Sequence, residues 1–435
     1  MKKILLLLAL ACSLNLTAQT TLRVTRGNGH IHEVFTATTE DMTFQATATG
    51  TGTSLTIGTI TYDVKDITSI TIGEETIANG TVNVTYNTDG TADVVIAGNI
   101  APYLTTSVNG QDVVIESLAT YTDVITYNLT GTATDGSFEM EGKNNTILNL
   151  NGVSITSSDT AAINIHNGKH CTINVSGTNT FIDGATGGQK GAFFCNGHAT
   201  FTGNGTINIT GNARHGYRSD EYTIFSSDFT GNFNVLASAS DAINVQQYLS
   251  IENGTFTLSG NIGDGIDVGI NNDNTKSFNG QVFISGGTIN ANATSVDTKA
   301  IKSDSCFTIT GGTFNINVIG NGCKGFKAGT DFRINNGTIN MTVSGGSYEY
   351  TLADGTEDAA RCQGIRSDAD FYLAGDATTH PTFNITNTSS DDHTKGIRVK
   401  GWLYYTAAAL SASGFNTKDA KWDRGQAKKL DSITF

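Results

Sequence analysis

The chain has 435 residues with 50 glycines, two prolines, 21 Phe, 13 Tyr and only 15% charged residues, so it can bury a large core and lacks the charged profile of disorder. Its formal net charge of −14 disfavours nucleic acid as a partner. The cysteines are widely spaced and form no C-x-x-C pair, which argues against a zinc site or a dense disulfide framework.

In chain order, residues 1–18 read as a secretory signal peptide. Met1-Lys2-Lys3 is a basic start, "ILLLLALA" a short apolar run, and "LTA" before Gln19 the expected cleavage site. The apolar run is too short to span a membrane. "ALAC" ending at Cys12 is a poor lipoprotein box. Loss of Lys2 and Lys3 would take the formal charge from −14 to −16 and leave five cysteines, Cys171, Cys195, Cys306, Cys323 and Cys362. The expected product is secreted, at the periplasm, cell surface or outside the cell.

Residues 19–78, Thr- and Gly-rich with "KDITSITI" from 65, are expected to form a small β module. "KKLDSITF" from 428 echoes that phrase, which predicts a terminal strand returning to the module. Between them lies a repeat. "GTNTFI" at 177, "GTINI" at 205, "GNFNV" at 231, "GTFTL" at 254, "GTINA" at 287, "GTFNI" at 312, "GTINM" at 337 and "PTFNI" at 381 follow one another at offsets of 28, 26, 23, 33, 25, 25 and 44. Within each unit apolar and polar residues alternate, as in Phe307-Thr308-Ile309, and no helical pattern competes. Strand-turn-strand units without intervening helices predict an all-β parallel β-helix over 79–405, each coil pairing with those before and after it, and a cap over 406–435. Like positions then stack about 4.8 Å apart. The predicted core columns are Ile243, Ile266, Ile301, Phe326, Ile365, Ile397 and Phe256, Ile289, Phe314, Ile339, Phe383, with a Gly or Ala before each Ile marking a tight bend.

The stretch from Gly110 to Gly184, containing "LNLNGVSITSSDTAAINIHNGKHCTINVSGTNTFIDG", resembles the opening of a secreted bacterial family of carbohydrate-binding domain-containing proteins. The coils with "GI-K/R-S-D" followed by "F-x-I-x-G-G" are similar to the same family, over roughly residues 80 to 400. The resemblance implies a right-handed parallel β-helix shaped like the pectate lyases, calcium binding, and affinity for plant cell-wall polysaccharide of the pectin or cellulose type.

Two columns carry charge. One reads Asp241, Asp264, Lys299, Lys324, Gln363, Lys395; the other reads Asn244, Asp267, Lys302, Lys327, Arg366, Arg398. Both change from acidic to basic between the coils at 264 and 299. Stacked cations repel by roughly 0.9 kcal/mol per neighbouring pair even at the dielectric of water, so a basic stripe suits a polyuronate ligand. The alternative is that Asp304 and Asp368 neutralise it as surface ion pairs, with Asp264 and Asp267 bridging to Lys299 and Lys302. Asp241, Asp264, Asp267 and the loop residue Asp273 are the candidate ligands for Ca2+, a hard ion that accepts carboxylate and carbonyl oxygens. Tyr348 and Tyr350, in the insertion "SGGSYEYTLADGTEDAARC", are candidates for stacking on sugar rings. Trp402, Tyr404 and Tyr405 are expected to cover the open core. Asn208, Asn234, Thr257, Asn290, Asn315, Asn340 and Asn384 form an uncharged column, read either as an amide ladder or as a flat face for sugar or ice. Cys323 and Cys362 share a column, as a disulfide or a buried thiol stack.

The expected function is a monomeric, non-catalytic binder of acidic or cell-wall polysaccharide. One alternative is a calcium-dependent polysaccharide lyase in which a lysine or arginine removes the C5 proton of a uronate. The other is a structural surface protein or adhesin.

Overall fold

The computed structural model describes residues 21–36, 42–46, 53–57, 59–422 and 427–435. The expected signal peptide, residues 1–18, and Cys12 within it lie outside the described residues. Almost everything described is strand or turn, and the body is a parallel β-helix of three faces. In the coil at 299–318 the first face is Lys299–Ser303, the second Phe307–Ile309 and the third Thr313–Val318. Each pairs in parallel with its counterpart in the next coil, Lys324–Ala328, Phe332–Ile334 and Thr338–Val343.

Alternation along these short strands decides what is inside. Ile243, Ile266, Ile301, Phe326, Ile365 and Ile397 are successive register partners, as are Phe256, Ile289, Phe314, Ile339 and Phe383, and all of them are buried. The glycines before the column-forming residues are fixed by crowding rather than by a bend. A Cβ on Gly325 would lie 2.4 Å from Met341 Cε and 2.6 Å from the Gly364 carbonyl oxygen. Outside the third face the amides form a ladder. Asn315 Nδ2 donates to Asn290 Oδ1 at 2.8 Å, Asn340 to Asn315 at 2.9 Å and Asn384 to Asn340 at 2.8 Å.

Thr21–Arg26 pairs antiparallel with Ile31–Thr36 and with Ile67–Gly73. Ile31–Thr36 also joins the solenoid sheet in parallel with Ala92–Ala97, so the N-terminal module is continuous with the body. The far end differs from expectation. Ala427–Leu430 pairs in parallel with Leu403–Thr406, adding a partial coil instead of returning to the N-terminal module. The short helix Ala407–Ala412, N-capped by the Thr406 side chain, leads to Phe415, whose ring meets Phe371 at 5.9 Å and Phe383 at 5.6 Å. These residues close the open core. Tyr405 shares their task, packing against the core in register with Leu373, whereas Tyr404 sits outside, stacked on Tyr372 at 5.0 Å.

Cys171, Cys195, Cys306, Cys323 and Cys362 are all free and buried, so the Cys323 and Cys362 column is a pair of thiols. Burial pushes the Cys171 and Cys362 thiols up to about 12, which leaves almost no thiolate at neutral pH. A thiol reagent such as DTNB is expected to leave these five unmodified in the native protein and to titrate them once denaturant is added. Rapid reaction of any of them without denaturant contradicts that picture.

Candidate functional site

The outward column of the first face runs without a register break through Arg218, Asn244, Asp267, Lys302, Lys327, Arg366, Arg398 and Lys421. Backbone pairing brings these side chains together from coils separated by 23 to 39 residues, because on each strand the residue after the buried column residue takes the outward side of the pleat. Aspartates interleave with the cations. Lys302 Nζ lies 2.8 Å from Asp267 Oδ1 and 3.0 Å from Asp304 Oδ1. Farther along, three cations converge on one carboxylate. Asp368 takes Arg366 Nε at 2.7 Å, Lys400 Nζ at 3.1 Å and Lys327 Nζ at 3.7 Å. Two elementary positive charges are left over there.

The neighbouring column turns partly inward. Lys324 is only 5% exposed and its Nζ donates at 2.6 Å to both Asp297 Oδ1 and the Gly322 carbonyl, while Lys299 Nζ reaches the Asp297 carbonyl and lies 3.6 Å from its Oδ1. Gln363, between Lys324 and Lys395, is buried. Lys395 Nζ donates to the Asp392 carbonyl at 2.9 Å. Lys299, Lys324 and Lys395 therefore hold the turns of the solenoid, and the cations on the outward side of the first face are Lys327, Arg366, Arg398 and, at its edge, Lys302.

The acidic end is a closed network. Asp241 Oδ2 accepts from Asn244 at 2.7 Å and faces buried His215 Nδ1 at 3.3 Å, while its Oδ1 accepts the Asp264 backbone N–H at 2.8 Å. Asp264 Oδ1 accepts the Lys299 backbone N–H at 2.7 Å, and Asp267 Oδ2 accepts from Asn244 at 3.2 Å. Asp273 is remote in role. Its Oδ1 accepts from the N–H and hydroxyl of Thr275 in an exposed loop. Among the described residues no group of three or more His, Cys, Asp or Glu is arranged to hold a metal. Asp241, Asp264, Asp267 and Asp273, as placed, do not fit calcium, since both oxygens of Asp241 and Asp267 and one oxygen each of Asp264 and Asp273 already serve N–H, hydroxyl or ammonium donors.

Burial, helped by Asp241 and Asp267 nearby and opposed by Lys299, pushes the Asp264 carboxyl up to about 7. Between the ordinary carboxylate range and that value the folded chain keeps a proton that the unfolded chain has lost. Stability therefore falls as pH rises through this window and levels off above it. Asp264→Asn keeps the oxygen that accepts from Lys299 and removes the burden. It is expected to flatten the stability slope between pH about 4 and 7 and to raise Tm at pH 8 by a few degrees. An unchanged slope would assign the pH dependence elsewhere.

Tyr348 and Tyr350 lie on a hairpin, Tyr348–Thr351 against Glu357–Ala360, with ring centroids 5.9 Å apart and planes at 24°. Gly322 runs beneath it: a Cβ there would lie 3.1 Å from Tyr348 Cβ. Since Gly322 also takes the Lys324 ammonium, the hairpin stands at the edge of the charged face. Lys400 and Lys421 escaped sequence reasoning, although "RVKGW" and "DAKW" hold them at fixed steps from the column. Asp297 escaped it too, because nothing in the sequence says that one turn aspartate would serve two coils.

Residues 109–322 match the family model of carbohydrate-binding domain-containing proteins. No curated protein matches the chain. Among solved structures, a polysaccharide lyase-like protein from C. thermocellum, determined as a gadolinium derivative, is 19% identical over 60% of this chain and 96% of its own, with a TM-score of 0.45.

Proposed function

We propose that this is a secreted, non-catalytic binding protein for acidic polysaccharide of the polyuronate type, which lies along the first face. The observation that carries the reading is the convergence of Lys327, Arg366 and Lys400 on Asp368 alone, a local surplus of cations on a chain of net charge −14. A polymer with regularly spaced carboxylates offsets that surplus, and charge-assisted hydrogen bonds to arginine add geometric selectivity. The family match over 109–322 supports a polysaccharide as partner.

Nothing in this reading is routed through calcium. The lyase alternative needs a lysine or arginine free to take a proton. Lys302, where the acidic and basic runs meet, is instead held protonated: Asp267 and Asp304 raise its pKa against the cost of its burial. Electrophoresis of the protein through gels containing polygalacturonate tests the proposal. Retardation that weakens with added salt and survives a chelator is expected. Migration unchanged by polygalacturonate at low salt removes the binding reading and favours the structural one, and ultraviolet-absorbing unsaturated product would make the protein a lyase.

A further inference from the structure

The corner between the first and second faces carries a row of rings that takes no part in the cation column. His198, Tyr222 and Tyr248 come from successive coils and stack with centroids 4.4 and 4.8 Å apart and planes at 8° and 17°. The row ends in two rings turned across it. Phe278 and Phe283 lie 5.7 and 6.3 Å from Tyr248 at 78° and 81°, and 5.4 Å from each other at 87°. Phe278 is 54% exposed and neighbouring Ile270 is 50% exposed, so the loop between them presents apolar surface without burying it.

That placement costs energy. Phe278 has φ +56°, a left-handed conformation that bulky side chains rarely adopt and that glycine takes freely. The loop is braced to keep it. Asn271 N–H donates to Asn279 Oδ1 at 2.6 Å, Asn279 Nδ2 returns to the Asn271 carbonyl at 2.9 Å, and Asn271 Nδ2 anchors to the Asp220 carbonyl at 3.0 Å. A ring half in water contributes little to folding, so stability alone is a weak reason for the strain and the bracing.

The rim supplies another. Lys276 pairs with Glu221 at 2.7 Å, so no cation is left over there, and the Tyr222 and Tyr248 hydroxyls make no hydrogen bond with the described residues. One exposed ring, Phe278, beside ring edges that carry unpartnered hydroxyls and an ion-paired lysine, suits a flat, uncharged molecule with C–H faces and hydroxyl edges. Every one of these residues lies within 109–322, the segment matching the carbohydrate-binding model.

We propose that the exposed Phe278 ring, with the hydroxyl-bearing edges of Tyr222 and Tyr248 beside it, forms a stacking subsite for the uncharged pyranose rings of a neutral polysaccharide, separate from the cation column. The proposal rests on the carbohydrate reading above but on none of its cations. Phe278→Gly removes the ring and relieves the backbone, and Phe278→Leu keeps apolar bulk without aromaticity. In gels containing hydroxyethyl cellulose or galactomannan, the parent should be retarded by at least one polymer and both variants should lose about fivefold or more in affinity. Phe278→Gly should also match or exceed the parent's Tm, and retardation by polygalacturonate should stay unchanged. The proposal is overturned if neither neutral polymer retards the parent, or if both variants are retarded like the parent. Failure of polygalacturonate alone to retard the parent strikes only the cation column and leaves this subsite supported by its own arm of the experiment.

Discussion

Replacing Phe225 by alanine is expected to lower stability by about 3–5 kcal/mol, the range for an aromatic side chain deleted from a close-packed core. Phe225 is fully buried, and four rings surround it: Phe201 at 4.6 Å, Phe256 at 4.8 Å, Phe233 at 5.0 Å and Phe229 at 5.4 Å. Those rings come from three consecutive coils and from two faces. No single neighbour can collapse into the void without abandoning its own contacts, so most of the cavity cost persists. The site above the cluster should suffer with it, since Tyr222 and Tyr248 flank the strands that carry Phe225 and Ile251. Urea unfolding followed by circular dichroism reads the effect, and a solenoid with a weakened middle is expected to unfold in more than one step. A loss under 1 kcal/mol would mean that the cluster is not packed as described.

The second large effect is expected at the cation column. Lys327→Ala/Arg366→Ala/Lys400→Ala removes three positive charges and leaves Asp368 facing the ligand, so affinity for polygalacturonate should fall by about tenfold or more at low ionic strength. Asp368→Asn should do the reverse, strengthening retention by freeing all three cations from their shared partner. Both differences should shrink as salt is raised, because these groups are only partly buried and remain screened. Opposite signs from two changes at one place distinguish an electrostatic contact with ligand from simple loss of structure. Equal retardation of both variants and the parent would sink the cation-column reading.

The stacking of the coils was legible in the sequence because the repeat of about 25 residues and the period-two alternation act locally, and backbone pairing then forces like positions over one another. That is why Lys302, Lys327, Arg366 and Arg398 could be placed in one column from letters alone. Their partners could not. Asp304 and Asp368 stand two residues along the strand from their cations and were readable as neutralising groups, yet the sharing of Asp368 among Lys327, Arg366 and Lys400 depends on how side chains from three coils reach across a turn. Lys324 lies two residues before core Phe326 and so on its side of the strand, but that its ammonium would be held by Asp297 and the Gly322 carbonyl could not be read from letters. The aromatic corner was only partly legible: His198, Tyr222 and Tyr248 each stand four residues after the outward column positions Phe194, Arg218 and Asn244, a fixed step, whereas Phe278 lies in a loop insertion where no offset places its ring against Tyr248. Periodic pairing thus determined the solenoid, its core columns and the line of charge, since these follow from spacing along the strand. Which charges are left over, which carboxylates are already occupied and which rings meet were decided by the turns, where the chain's local pattern sets no register and packing between coils fixes the geometry.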